Sequence, residues 1–532
     1  MPQPSNSKRP TKFQTLQAVP TIASGISRKL SGRAAALALL AMSLSTNAVA
    51  GKWSIVPDIT VRGTYTDNAA LTAPPSGGEF VTQVTPGIRI HGGGARFKGN
   101  LDYRPSALFY SRHTSQDSIV NTLNGAGTLE AVENFFFVDV FGNISQTFIS
   151  PFAPQPSNLT SFTSNRTEAR TYGISPYVQG HVGNAFSYQL RYRDTRVSTN
   201  SSLLPKQETQ EWTGHAASPI RLFGWALDYD NSNIIYNNYA AGHQYSRLYR
   251  GTLYYQPDIT LRLSADGGAE ENNYFLEQRS NSIYGAGLSW RPTPLTSADL
   301  NVEHRFFGTS RLASFRHRTR LTAWTVAYSK NVSTSQQLLT VPLGNTAALL
   351  DTILAARIPD PVERQAAVEQ FLRTSGIPPF LSASVAFFTQ QVVLQERLDA
   401  SVGILGRRSS VFLNAFRAKT EPLTSNFTSA VPDAFLLSQG PITQHGFGVS
   451  ASRQLTPLTT LVGSANRTYA RQDVPTTIDS RNDSYTLSLT RTLSPKTTTF
   501  AGLSFAHFTS SSASASGSSN ARAVFVGLSH FF

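Results

Sequence analysis

Polarity alternates residue by residue along one segment of this chain after another. Trp53, Ile55, Ile59, Val61 and Tyr65 fall on one side of a two-residue repeat, and Ser54, Asp58, Thr60, Arg62 and Thr64 on the other. Phe186, Tyr188, Leu190 and Tyr192 oppose Ser187, Gln189, Arg191 and Arg193; Phe223, Trp225, Leu227 and Tyr229 oppose Gly224, Ala226, Asp228 and Asp230. The same holds for the closing ARAVFVGLSHFF, where Val524, Val526 and Leu528 share a side with His530. This is the repeat of a β-strand with one apolar and one polar face. It fits a soluble sandwich as well as a membrane barrel, and two features separate them. The polar sides carry full charges and glycines over whole segments, and aromatics recur near segment ends, at Trp53, Tyr65, Trp290 and Trp324. A barrel in lipid has an apolar exterior, a wet interior and aromatic girdles, and its closure satisfies every backbone group where no water reaches.

Residues 1–50 read differently. They hold six of the chain's 46 basic residues and no acid, and run through AAALALLAMSL to the small-residue site Ala48-Val49-Ala50. That is the pattern of a secretory signal cleaved before Gly51, with the barrel then spanning 51–532. Removing the leader leaves 40 basic against 32 acidic residues, too even a balance for nucleic-acid binding. With no cysteine, disulfides contribute nothing.

Short links such as HGGGA (91–95), VGNA (182–185), TPLT (456–459) and SPKT (494–497) alternate with long polar ones such as 150–168 and 510–520. Short turns at one rim and long loops at the other belong to bacterial outer-membrane barrels. The expected fold is all-β, a transmembrane antiparallel β-barrel of about 22 strands, within 20–24. Counting from both ends makes RTRLTAWTVAYSK (318–330) and the segment near 386–405 both descend from the outside, so QQLLTVP (336–342) is expected to rise between them. Pro57, Pro86, Pro105 and Pro176 fall inside expected strands, where each removes a ladder bond. Residues 343–383 break the alternation. Asp360-Pro361 reads as a helix start and Gly376 with Pro378 and Pro379 as its stop, with an earlier helix from Asn345 or Thr346 through Arg357. The expectation is a helical hairpin in an extracellular loop, either a lid or plug for the pore or a loop packed on the rim.

No metal-ligand spacing, phosphate loop or catalytic constellation stands out, so no metal, cofactor or catalytic residue is assigned and the chain is not read as an enzyme. Arg62, Arg89, Arg104, Arg191, Arg193 and Arg262 project to the polar face, with Asp58, Asp102, Asp228, Asp230 and Asp266. Two readings follow: a lumen that guides an anionic solute, or cross-strand ion pairs that stiffen a wide barrel. RHRTR (316–320) is the densest basic cluster. By counting in twos, Arg316, Arg318 and Arg320 share the face of Trp324, Val326 and Tyr328, which makes them candidates for lipopolysaccharide phosphates at the outer leaflet or a solvated strand end.

WSIVPDITVRGTYTDNAAL, VTPGIRIHGGGARFKGNLDY, AARIPDPVERQAAVEQFLRTSGIP and QERLDASVGILGRRSSVFL resemble PEP-CTERM system-associated outer-membrane proteins over nearly all of the mature chain. The block Ile358-Pro359-Asp360-Pro361 with Arg364 is the most specific part; His530 departs from the apolar or tyrosine residue usual near a barrel's C-terminus. The resemblance implies an outer-membrane barrel encoded with exosortase and exopolysaccharide genes. The expected partners are outer-membrane lipids and lipopolysaccharide, the barrel-assembly machinery, and exopolysaccharide with its export proteins. The expected function is a pore or export conduit. The alternatives are a plugged structural or interaction barrel and a lipid hydrolase or acyltransferase.

Overall fold

In the computed structural model the described residues are 52–201, 206–237, 243–274, 279–333, 346–355, 357–359, 361–377, 392–423, 440–473, 477–512 and 517–532. The leader, residues 336–342, Asp360, Pro378 and Pro379 lie outside them. Twenty-two strands run from β1 (Lys52–Thr66) to β22 (Gly517–Phe531). Each pairs antiparallel with the next in sequence, and β22 pairs back onto β1 from Ala523↔Thr66 to Phe531↔Asp58. The sheet is thus a closed up-and-down barrel with no free edge.

The outward faces are the apolar ones. Leu253 is 68% exposed, Val526 59% and Leu190 45%, while the intervening residues are polar or buried. An aliphatic band of this exposure is stable only against hydrocarbon. Cross-strand aromatic pairs border it, among them Trp53–Phe97 at 5.7 Å, Tyr229–Tyr249 at 5.1 Å and His445–Tyr469 at 5.0 Å.

The links sort by rim. Residues 94–96, 133–135, 183–185, 457–458 and 495–496 are short turns at the rim where β1 starts and β22 ends. The long links 67–78, 149–165, 334–392 and 423–441 leave from and return to strand ends at the other rim. In barrels of this type the short-turn rim faces the periplasm.

Pro86, Pro105 and Pro176 interrupt one ladder each without shifting it, whereas Pro57 keeps its pairing with Ile88. Between β2 (Glu79–Gly93) and β3 (Phe97–Tyr110) pairing lapses after Val84↔Ala107 and resumes at Ile88↔Tyr103 in the same register. Pro86 and Pro105 fall opposite each other in that interval. The ladder of β6 (Arg166–Val182) with β7 (Phe186–Thr199) lapses likewise around Pro176, between Ile174↔Asp194 and Tyr177↔Arg191.

Strand direction in the middle of the chain differs from the sequence count. β13 (Thr296–Arg305) and β14 (Gly308–Arg318) form a tight hairpin around Phe306 and Phe307. Alternation carries straight through this turn, because neither phenylalanine is a turn former. β15 (Thr322–Ser333) therefore rises, and it pairs directly with the descending β16 (Val393–Leu405). The ladder has no place for a rising strand between them.

Candidate functional site: an obstructed polar lumen

Among the described residues of the β15–β16 link are two helices, α1 (Thr346–Leu354) and α2 (Pro361–Ser375). α1 ends three residues before the expected Arg357. Leu349, Leu350 and Ile353 recur at helical spacing and are buried, giving α1 one apolar face. Gly376 follows α2 at φ +69°, a conformation that glycine adopts without Cβ strain. The helices are clipped by Arg364, whose Nε donates to Asp351 Oδ1 at 2.6 Å and whose Nη1 donates to the carbonyls of Ile358 and Pro359.

The apolar face of the hairpin meets the inside of the barrel. Leu349, Leu350, Ile353, Val368 and Ile377 cluster with Ala323 of β15, Phe412 of β17 (Ser409–Pro422) and Val462 of β19 (Thr459–Gln472). Ala323 and Phe412 are 0% exposed, whereas their strand neighbours Trp324 and Leu413 point to lipid. These contacts fall in the first turns' worth of each rising strand, close to the short-turn rim. The insert thus starts at the long-loop rim and lies within the lumen near the periplasmic end.

A second element crosses the outer mouth. The stem of the 149–165 link is closed by Asn165, which accepts from Ser150 N at 2.8 Å and donates to Ser150 O at 3.0 Å. Beyond it, Phe152 enters a buried cluster with Val393, Ile442, Ala470 and Ile478, all at the upper inner wall of β16 to β20 (Ile478–Ser494). Ser480 Oγ donates to Pro151 O at 2.8 Å and Asn482 Nδ2 to Gln155 O at 3.2 Å. The returning arm packs Phe162 on Tyr110 at 5.6 Å, beside Val81 and Leu108. Sequence reading missed this strut. Its signal was Phe152 in SPFAPQP, an aromatic residue flanked by prolines in an otherwise polar loop.

Between these obstructions the wall is polar, and most of its arginines are neutralised. Arg89 and Arg104 come together over Asp58, which is 3% exposed, at 3.6 and 3.3 Å; Arg104 also donates to Asp102 at 2.8 Å. Arg191 pairs with Asp139 at 2.7 Å and lies 3.9 Å from the Tyr177 ring; Arg193 reaches Glu211 at 3.6 Å. Arg250 grips Glu303 and Arg305 grips Glu270. Arg62 stacks on Phe525 at 3.9 Å, and Arg262 donates to the Gln256 amide oxygen. The ion-pair reading describes Arg89, Arg104, Arg191 and Arg193; a free anion-guiding row of the six does not form.

The RHRTR cluster stands elsewhere than expected. A two-residue turn at Arg320 and Leu321 joins β14 to β15, so His317 pairs with Trp324, Arg316 with Thr325 and Arg318 with Ala323. Counting in twos fails across that turn. Arg316 and Arg318 face the lumen, and with Arg320 they stand at the short-turn rim, away from the outer leaflet. Among the described residues no group of three or more His, Asp or Glu is placed to hold a metal ion.

A closed 22-strand antiparallel barrel with a lipid-facing aliphatic band is a transmembrane β-barrel of the outer-membrane type. No family model matches the sequence, and no curated protein matches it. Solved structures similar to it include the siderophore receptor PirA from Acinetobacter baumannii, at 8% identity over 92% of this chain and 81% of that one, with a TM-score of 0.46. Acinetobacter baumannii OccAB2 gives 10% identity over 90% and 98%, with a TM-score of 0.34. The FrpB iron transporter from Neisseria meningitidis (F5-1 variant) gives 8% over 90% and 82%, with a TM-score of 0.39. The barrel assignment rests on the strand ladder and the lipid-facing band.

Proposed function

We propose that this barrel is an outer-membrane conduit for exported polysaccharide, held closed by its own insert. The observation that carries the reading is the kind of closure. A barrel of this strand number is too wide for wall side chains to fill, and here the wall is hydroxyl-, amide- and ion-pair-rich, suited to water. The obstruction at the periplasmic end comes from a segment tethered at its two ends and seated by one apolar cluster, which can move as a unit; the 149–165 strut crosses the outer mouth. The polysaccharide enters through the sequence resemblance to PEP-CTERM system-associated proteins. A barrel serving only as a surface anchor has no need of a hydrated wall behind a separable plug.

Planar-bilayer conductance tests this. The full-length protein is expected to open rarely, and a variant with residues 343–383 and 151–164 each replaced by a short Gly-Ser linker to conduct steadily. A deletion variant that inserts into the bilayer yet passes no current refutes the conduit.

A further inference from the structure

The inner wall is uneven in how its arginines are neutralised. Among the described residues, the strand arginines facing the lumen or its crossing strut without an acid at ion-pair distance are Arg62, Arg166, Arg262, Arg316 and Arg318. Arg62 is covered by Phe525, and Arg166 donates to carbonyls of the 149–165 link, among them those of Leu159 and Ser161. The other three share one sector at the periplasmic end, on β11 (Leu261–Asn272) and β14. Arg291 lies between them on β12 (Arg279–Thr293) and takes the nearby carboxylate of Asp299 at 3.5 Å, which also accepts from Ser289 at 2.7 Å. Asp258, at the end of β10 (His243–Asp258), accepts from the backbone and hydroxyl of Thr260 at 3.1 Å and keeps its charge, so four arginines in the sector face two carboxylates. The sector therefore carries an uncompensated positive charge, unlike the wall above it.

That charge borders a cavity. About 500 Å³ in volume, it has a largely apolar floor that includes Ile259, Pro292, Pro294 and Leu295, with Arg291, Arg316, Arg318, hydroxyl-bearing Thr260, Thr293 and Ser297, and Thr352 of α1 around it. This lies within the range of roughly 300–1,000 Å³ in which small ligands bind, and one side of it is the plug itself. Guanidinium forks match carboxylate and phosphate geometry, and rings of one charge sign select the ion that enters a pore. Hydroxyls and prolines around them suit a hydroxylated chain better than a flat protein surface. Lipid is excluded as the ligand of Arg316 and Arg318, because both face the lumen.

We propose that this arginine pocket at the periplasmic mouth is the entry site for an anionic polysaccharide, one bearing carboxylate or phosphate groups, and that the polymer meets α1 as it binds. The proposal rests on the conduit reading and names its substrate class. A polymer seated against Thr352 reaches the element that blocks the periplasmic end, which couples recognition to opening there.

The test uses full-length protein in lipid discs, with decameric oligogalacturonate as probe and dextran of equal length as the neutral control. Calorimetry at low salt is expected to show binding of oligogalacturonate only, weakened by added salt as surface charge is screened. R316Q/R318Q should lose about tenfold or more in affinity, R316K/R318K much less, and R311Q, on the lipid face of β14, nothing. Heat-modifiable migration of each variant reports an intact barrel. Equal binding by R316Q/R318Q, equal binding of dextran, or binding of polyglutamate but not of oligogalacturonate each overturns the proposal, the last in favour of an acidic protein partner. Conductance by the double deletion together with no oligogalacturonate binding would refute the substrate class and leave the conduit standing; binding without any conductance would do the reverse.

Discussion

At the scale of single residues, neighbours in one strand obey opposite rules. Leu190 points into lipid and Gln189 into the lumen, where Gln189 Nε2 donates to Gln179 Oε1 at 3.4 Å. Leu190→Arg should cost about 2–4 kcal/mol, the penalty for a cation near the bilayer midplane, and Gln189→Arg far less. Urea titration of the two variants in vesicles compares them directly; equal costs would mean that the faces are misassigned. This much was legible, because a period of two needs only residue identity. The pairing of arginines was not. Arg191 meets Asp139 across 52 positions of sequence, and nothing in either local segment points to the other. RHRTR misled for a related reason, since its face depends on a turn that begins inside the motif.

At the scale of elements, glycine and proline punctuate less reliably than alternation. The hairpin of β13 and β14 was invisible because its turn is Phe306-Phe307. The residue that permits it is Gly308, at φ +103° with open space where a Cβ would stand. Gly308→Ala should cost about 1–3 kcal/mol from backbone strain alone, read as a lower urea midpoint with an unchanged barrel signature in circular dichroism. No loss of stability would mean that this turn is drawn wrongly. The helical hairpin was legible as helices from its start and stop residues, whereas its seat was not, since Leu349, Leu350 and Ile353 describe an apolar face without saying what covers it. Phe412 supplies the test. The chain has no native cysteine, so Phe412→Cys is a single reporter. It should resist a water-soluble maleimide in the full-length protein and react at least tenfold faster once 343–383 is deleted, as expected for a site whose exposure requires opening worth more than about 1.4 kcal/mol. Equal reactivity in both would put the insert outside the lumen.

At the scale of the whole barrel, strand number and closure follow from one requirement. Every alternating segment buries its backbone polar groups in lipid and must find partners on both sides, so the sheet closes. The sequence carried this in distributed form, in the repeated two-residue period and the alternation of short and long links. What it could not carry is how far the long links travel. Phe152 reaches the wall of β16 to β20 and the insert reaches the opposite rim, and both outcomes depend on apolar patches contributed by strands remote in sequence. Conduction, closure and the arginine pocket all presuppose that the outward faces meet hydrocarbon. Nitroxide labels at Ala523, Val524, Phe525, Val526 and Leu528, one per variant in lipid vesicles, measure this residue by residue. Molecular oxygen should reach Val524, Val526 and Leu528 strongly and Ala523 and Phe525 weakly, with a water-soluble nickel chelate excluded from the first three. Nickel access at Val526, or a profile along β22 with no alternation, would contradict the barrel described above.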